Sequence, residues 1–250
     1  MTSTPEDPAL IWLRPEPSGR KPRFTRAEIA RTAIGIADAE GFDAVTMKRI
    51  ASELGAGTMT LYYYVRNKAD IVALMQDAIC EDFLVPDGEL PAGWRAAVTL
   101  IARRTRETLV GHPWAISSLN QAQFGPNAVR HYEQSLAALA ATGLGYPQKT
   151  ELTAILDDYV NGNAAHAVEA RERMQLASRD PGLAIEARAY GEALMAAGAF
   201  PELEALARDA RDGGGEFDPL ANLDRQFEVG LAALLDGIER YYKISSPPAG

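Results

Sequence analysis

The stretch from Phe24 to Leu84 carries helix starts and stops so closely spaced that little but a bundle of short helices can satisfy it. Thr25 and Glu28 form a capping box, in which the hydroxyl takes the N3 amide and the carboxylate reaches back to the cap amide. Phe24 and Ile29 stand at the staple positions on either side of it. Ile29, Ala33, Ile36 and Ala37 keep helical spacing until Gly41. Thr46 caps a second helix, Met47 to Leu54, which Gly55 ends. After Ala56-Gly57, residues 58–64 make about two turns of a third helix. Asn67 then caps a fourth, with Ile71, Leu74, Met75, Ala78, Ile79 and Phe83 on its apolar face and Pro86 beyond it. Helix, short glycine-containing turn and second short helix are the helix-turn-helix arrangement, whose second helix is offered to a DNA major groove.

The rest of the chain stays helical. Segments are predicted near 93–110, 113–119, 126–142, 148–177, 182–198, 201–211 and 220–242, separated by Gly/Pro punctuation. No stretch alternates with period two, so the expected fold class is all-α. Leu223, Phe227, Gly230, Leu231, Leu234, Ile238 and Tyr241 form a stripe wide enough to face a core and a partner chain. Five prolines in the first 22 residues predict an extended, mobile arm. The expected organisation is an arm over 1–22, a helix-turn-helix domain over 23–85 and a C-terminal helical domain over 86–244.

Composition narrows the function. No apolar run approaches the roughly 18 to 20 residues of a membrane span. The acidic N-terminus lacks the pattern of a secretory signal. One cysteine, Cys80, rules out an internal disulfide framework, so a cytoplasmic setting, at the nucleoid, is expected. The net charge of −9 hides a split. Arg20 to Lys68 holds nine basic residues against five acidic ones, which leaves −13 elsewhere. A basic segment in an acidic chain suits a polyanionic partner.

With Leu61 on the buried face of 58–64, Tyr64 and Val65 flank it and Met59 and Tyr63 point outward. Thr60 and Tyr62 sit at the shoulders and Thr58 at the exposed start. Methyl and thioether groups suit thymine methyls, and hydroxyls suit base edges or phosphates. No Arg or Asn on that face can make a bidentate base contact, so apolar contact and DNA shape carry the readout. Lys48, Arg66 and Lys68 are natural phosphate contacts, and Arg20, Lys21 and Arg23 could enter an adjacent minor groove.

Phe24-Thr25-Arg26, Ala37, Gly41, Thr46-Met47-Lys48-Arg49-Ile50-Ala51, Leu54-Gly55 and Thr60-Leu61-Tyr62-Tyr63-Tyr64-Val65-Arg66-Asn67-Lys68 carry a resemblance to the DNA-binding domain of the TetR family of transcriptional regulators. The last run is very close to the tetracycline-repressor branch. By this resemblance Met47, Lys48, Thr58, Met59, Thr60, Tyr62, Tyr63 and Lys68 match operator-contacting positions. His112-Pro113-Trp114-Ala115, Gly125-Pro126-Asn127-Ala128 and Tyr159-Val160-Asn161-Gly162 look like the C-terminal domains of the same branch. The resemblance implies a homodimer built on a four-helix bundle, here from parts of 148–177 and 220–242, and a small-molecule inducer that releases a repressor from a palindromic operator. The tetracycline repressor's chelate contacts fall near Leu84, Ile101, Thr105, Ser117–Leu119 and His166. None of these residues keeps the chelating chemistry, so a magnesium–tetracycline ligand is not expected. The segment 178–219 is longer than the family's usual connection.

Other chemistry finds little support. His166 and Glu169 share a helical face, but one pair is short of a metal site, so no metal or other cofactor is expected. No nucleophile elbow, phosphate loop or Cys–His spacing is present, so no catalytic residue is assigned and an enzyme is not expected. Trp94, Trp114, Phe124, Tyr159, Asn163 and His166 are the candidate ligand contacts, because pockets favour aromatic side chains with a few polar tips. Two other readings are a dimeric small-molecule-binding protein without operator recognition and an all-helical metal-dependent enzyme. Salt-dependent, sequence-selective DNA binding separates the first from both.

Overall fold

A computed structural model describes residues 9–17, 23–118, 125–196, 198–212 and 219–244. It holds eleven α-helices and no strand among the described residues. They are α1 (Arg26–Glu40), α2 (Met47–Glu53), α3 (Thr58–Leu61), α4 (Lys68–Phe83), α5 (Trp94–Gly111), α6 (Pro113–Ser118), α7 (Pro126–Ala138), α8 (Tyr146–Arg179), α9 (Pro181–Ala196), α10 (Pro201–Asp212) and α11 (Pro219–Tyr242). The all-α class holds.

The caps act as the sequence requires. Thr25 accepts the Glu28 amide and Glu28 answers at the Thr25 amide, a complete capping box. Thr46 caps α2 at the Arg49 amide and Asn67 caps α4 at the Asp70 amide. Gly41 and Gly55 leave their helices with positive φ, +89° and +61°, where a side chain would be strained.

The chain forms two compact units, residues 1–164 with 235–250 and residues 165–234. In the first, α4 is the shared wall. From Asp70 to Asp77 every residue of α4 is buried, which an outward-facing helix could not show. α4 packs against α1 on one side and against α5 and α7 on the other, so the helix-turn-helix and the start of the C-terminal segment share one core. The second unit holds the far part of α8, α9, α10 and most of α11. On α11, Leu223, Phe227, Leu231, Leu235 and Ile238 are buried while Val229 and Tyr241 are exposed.

Three expectations need correction. The segment 58–64 is helical only to Leu61. The segment 126–142 breaks at Ala138 into a 3-10 turn over Ala140–Thr142, closed by Gly143 at φ +72°. Between Ala9 and Pro17 the expected extended arm is interrupted by a packed turn. Ile11–Leu13 form a 3-10 turn, Ile11 is fully buried, and Arg14 is buried in an ion pair with Asp70. Within the apolar run Leu10-Ile11-Trp12-Leu13, Ile11 is fully buried and Trp12 partly so, while Leu10 and Leu13 stay exposed.

Candidate nucleic-acid interface

The short third helix is built from both ends. Gly55 turns the chain out of α2, and the Ala56 amide returns to the Ala51 carbonyl at 2.8 Å. α3 starts at Thr58 and seats the fully buried Leu61 in the core, with Val65 and Tyr64 beside it. The chain then tightens: Tyr64 donates to the Leu61 carbonyl at 2.8 Å. Its own carbonyl is taken by Arg26 Nε at 3.3 Å instead of by a further helical turn. The Tyr64 hydroxyl accepts the Phe24 amide, and the two rings meet edge to face at 6.3 Å. Met59 and Tyr63 project outward at 75% and 78% exposure. Tyr62 is exposed, and Thr58 and Thr60 are half-buried on its flanks. Large apolar side chains held this far out of a core are costly for solubility, which points to a surface that meets a partner.

The nearby cations divide by task. Arg49 is spent within the fold, bonded to Glu40 at 2.7 Å and Glu53 at 2.6 Å. Those bonds raise its pKa further and lower that of Glu40. Lys48 and Arg66 are exposed, and Met47 is half-buried at the start of α2. Lys68 lies at the first turn of α4 with its ammonium 4.7 Å from the centre of the Phe42 ring. Arg23, expected to reach a groove, instead donates to the Gly55 carbonyl at 2.5 Å and covers the Phe24 ring. Arg20 and Lys21 lie outside the described residues.

A small, partly open cavity lies among α5, α7 and α8. Val98, Ile101, Ala102, Leu139, Leu156 and Val160 give it apolar walls, and Thr105, Ser135, Thr153 and Asp157 are its polar positions. The Thr105 hydroxyl is buried and has no hydrogen-bond partner. Such a group is costly in an apolar wall unless something else satisfies it. Asp157 reaches solvent at the rim, yet burial, then repulsion from Asp158, pushes its carboxyl up to about 6.

The family profile for bacterial regulatory proteins of the tetR family matches residues 29–75, and that for the tetracyclin repressor-like C-terminal domain matches residues 86–242. The chain belongs to the TetR family. It is therefore a DNA-binding transcriptional regulator and not an enzyme. This TetR family regulator is 34% identical over 241 residues to the transcriptional repressor DrrR1 of Streptomyces coeruleorubidus, spanning 92% of this chain and 83% of that one. It is 33% identical over 185 residues to an HTH-type transcriptional regulator of Saccharopolyspora erythraea, spanning 70% and 78%. Among solved structures, the TetR family protein ActR of Streptomyces coelicolor in complex with actinorhodin superposes with a TM-score of 0.64 at 29% identity, over 88% of this chain and 98% of that one. Apo ActR superposes at 0.66 with 27% identity, over 90% and 99%.

In this TetR family regulator the candidate ligand contacts fall away from the cavity: none of the five that are described lines it. Trp94 is buried at the start of α5 with the Arg95 guanidinium over its ring. Trp114 stacks on Phe42 and donates to Asp38 Oδ1 at 2.7 Å, while His112 meets the same oxygen at 2.8 Å. Asn163 accepts from Arg106 at 2.6 Å, Tyr159 is half-buried and His166 is exposed. Phe124 lies outside the described residues. Trp114 ties α6 to α1 through Asp38. The usable signal was polar interruption of an apolar face: Val98, Ile101, Ala102 and Thr105 follow i, i+3, i+4 and i+7 on α5, and Thr153, Leu156, Asp157 and Val160 do so on α8. No group of three or more His, Cys, Asp or Glu suited to a metal occurs among the described residues.

The helix-turn-helix segment and the helices that follow it are bonded through α4 and its neighbours. Gln76 donates to the Ala115 carbonyl at 3.2 Å and also bonds the Ser118 hydroxyl. Asp77 accepts the Asn127 and Ala128 amides at 2.8 and 3.1 Å, capping α7 from the side, and burial raises its pKa. Gln134 exchanges two hydrogen bonds with the Val85 backbone, at 2.9 and 2.8 Å.

Proposed function

We propose that the protein is a homodimeric repressor that holds a palindromic operator until a small molecule enters the cavity. Met47, Lys48, Thr58, Met59, Thr60, Tyr62, Tyr63 and Lys68 are its DNA contacts. The observation that carries this reading is the outward tip of α3, where Met59 and Tyr63 stand in solvent above a fully buried Leu61. Apolar groups there select for thymine methyls and groove shape, and Lys48 and Lys68 hold phosphates. The dimer pairs α8 and α11, which expose Ile155, Met174, Leu176, Val229 and Tyr241. Two recognition helices about 34–36 Å apart then enter successive major grooves. ActR was solved with actinorhodin and with (S)-DNPA, which supports a ligand cavity in this chain as well. A ligand that binds more tightly to a conformation with the wrong helix spacing releases the DNA. Such a regulator works in the cytoplasm, where the DNA is. Among the described residues no helix is long and apolar enough to cross a membrane.

Selection of bound duplexes from random-sequence DNA tests the reading directly. The expected product is a palindrome with half-sites one helical turn apart. Tyr63→Ala should then weaken binding to that duplex by roughly ten-fold, the scale of one lost base contact. Recovery of no sequence preference, or unchanged binding by the variant, would reject the assignment.

A further inference from the structure

We propose that the N-terminal segment Leu10–Pro15 is a working part of the DNA-reading unit, with Arg14 and Arg26 as positioning residues that fix how the chain leaves the recognition helix. This rests on the operator-binding reading above. Asp70 is the pivot: buried in the first turn of α4, it pairs with Arg14 through Oδ1 and accepts the Arg66 amide through Oδ2 at 2.7 Å. Arg66 lies two residues beyond Tyr64, so one carboxylate joins the N-terminal segment to the exit of the recognition helix. Arg26 makes a second, parallel link. Its guanidinium donates to the Ile11 carbonyl at 3.1 Å, the Arg14 carbonyl at 2.8 Å and the Pro15 carbonyl at 3.3 Å. Its Nε donates to the Tyr64 carbonyl. Fully buried Ile11 anchors the segment between these links.

A helix of four residues has almost no hydrogen-bond cooperativity of its own. Its direction is set by what holds its ends, and at the C-terminal end the holders are Arg26 and Asp70. Arg14 is the charged partner bonded to the buried Asp70 carboxylate, and removing one member of such a buried pair is costly. Loss of Arg14 removes one of the two partners that fix the Asp70 carboxylate, loosens its hold on the Arg66 amide and lets Tyr62 and Tyr63 wander. The segment thus works from inside the protein, by packing and charge pairing, with no contact to phosphate.

The test is Arg14→Met in the full-length protein, read by amide hydrogen exchange and by binding to the duplex that the wild type selects from random DNA. Exchange should rise across residues 61–67 and stay unchanged across 94–110. Affinity should fall roughly ten-fold, the scale of a lost charge-assisted hydrogen bond. The dependence of affinity on salt should keep its wild-type slope, because no phosphate contact has been removed. Unchanged affinity, a shallower salt slope, or exchange raised equally in both regions would overturn the proposal. If the single variant does not fold, Arg14→Met with Asp70→Asn removes both charges together, and wild-type operator affinity in that protein would overturn it equally. A wild type that selects no duplex defeats the operator reading instead, and the exchange experiment then stands alone as the test of the link.

Discussion

Asp157 makes the cavity region sensitive to pH. Its carboxyl is raised to about 6, first by burial and then by Asp158, against about 3.9 for an unfolded aspartate. Below the unfolded value both states are protonated and the residue favours neither. As pH rises toward 6 the unfolded chain ionises first, so stability is lost, and above 6 the penalty is constant. Asp157→Asn should therefore raise the Tm at about pH 7.5, with the gain vanishing near pH 4, as followed by thermal melts. A gain independent of pH would show that the carboxylate is not its source. Thr105 poses a related problem in the same walls, since its buried hydroxyl has no partner. At this scale the sequence was read well where geometry is local. Tyr64 inward and Met59 and Tyr63 outward follow from helical periodicity alone. Ligand contacts are less legible, because aromatic character suits a pocket wall and a packing tie equally, and only long-range contacts such as Trp114 to Asp38 distinguish the two.

Element boundaries followed the caps. Where a cap is written in side chains, as at Thr25, Thr46 and Asn67, the helix starts there. Where the end depends on a distant partner, local reading overran it. Nothing within 58–64 shows that the chain tightens after Leu61, where the Tyr64 amide turns back to the Leu61 carbonyl, or that Arg26 then takes the Tyr64 carbonyl. α7 has the same dependence at its start, where Gly125 lends no side chain and Asp77 of α4 caps the exposed amides. A Cβ on Gly125 would overlap the Asp77 carboxylate and the Trp12 ring. Gly125→Ala should cost about 1–3 kcal/mol in urea unfolding, the range for overpacking a filled site. A change within error would show that the two helices separate without strain.

At the scale of the molecule, the proline-rich start of the chain hid a packed segment. Proline count speaks to backbone freedom, whereas Ile11 and Arg14 are ordered by partners on α1 and α4 that no local pattern names. The division near residue 85 is likewise one of sequence rather than of packing, since α4 is buried on both sides. A fragment of residues 1–85 would leave the buried side chains of Gln76 and Asp77 without their partners on α6 and α7. Circular dichroism of that fragment should show a broad, uncooperative melt, whereas the whole chain melts sharply. A sharp transition in the fragment would show that α1–α4 fold without the helices beyond. For anyone grafting the reading head of one such regulator onto the sensor of another, the seam belongs elsewhere. A chimaera cut just after α4 inherits mismatched halves of a single interior, so the faces of α5, α6 and α7 that meet α4 have to travel with it.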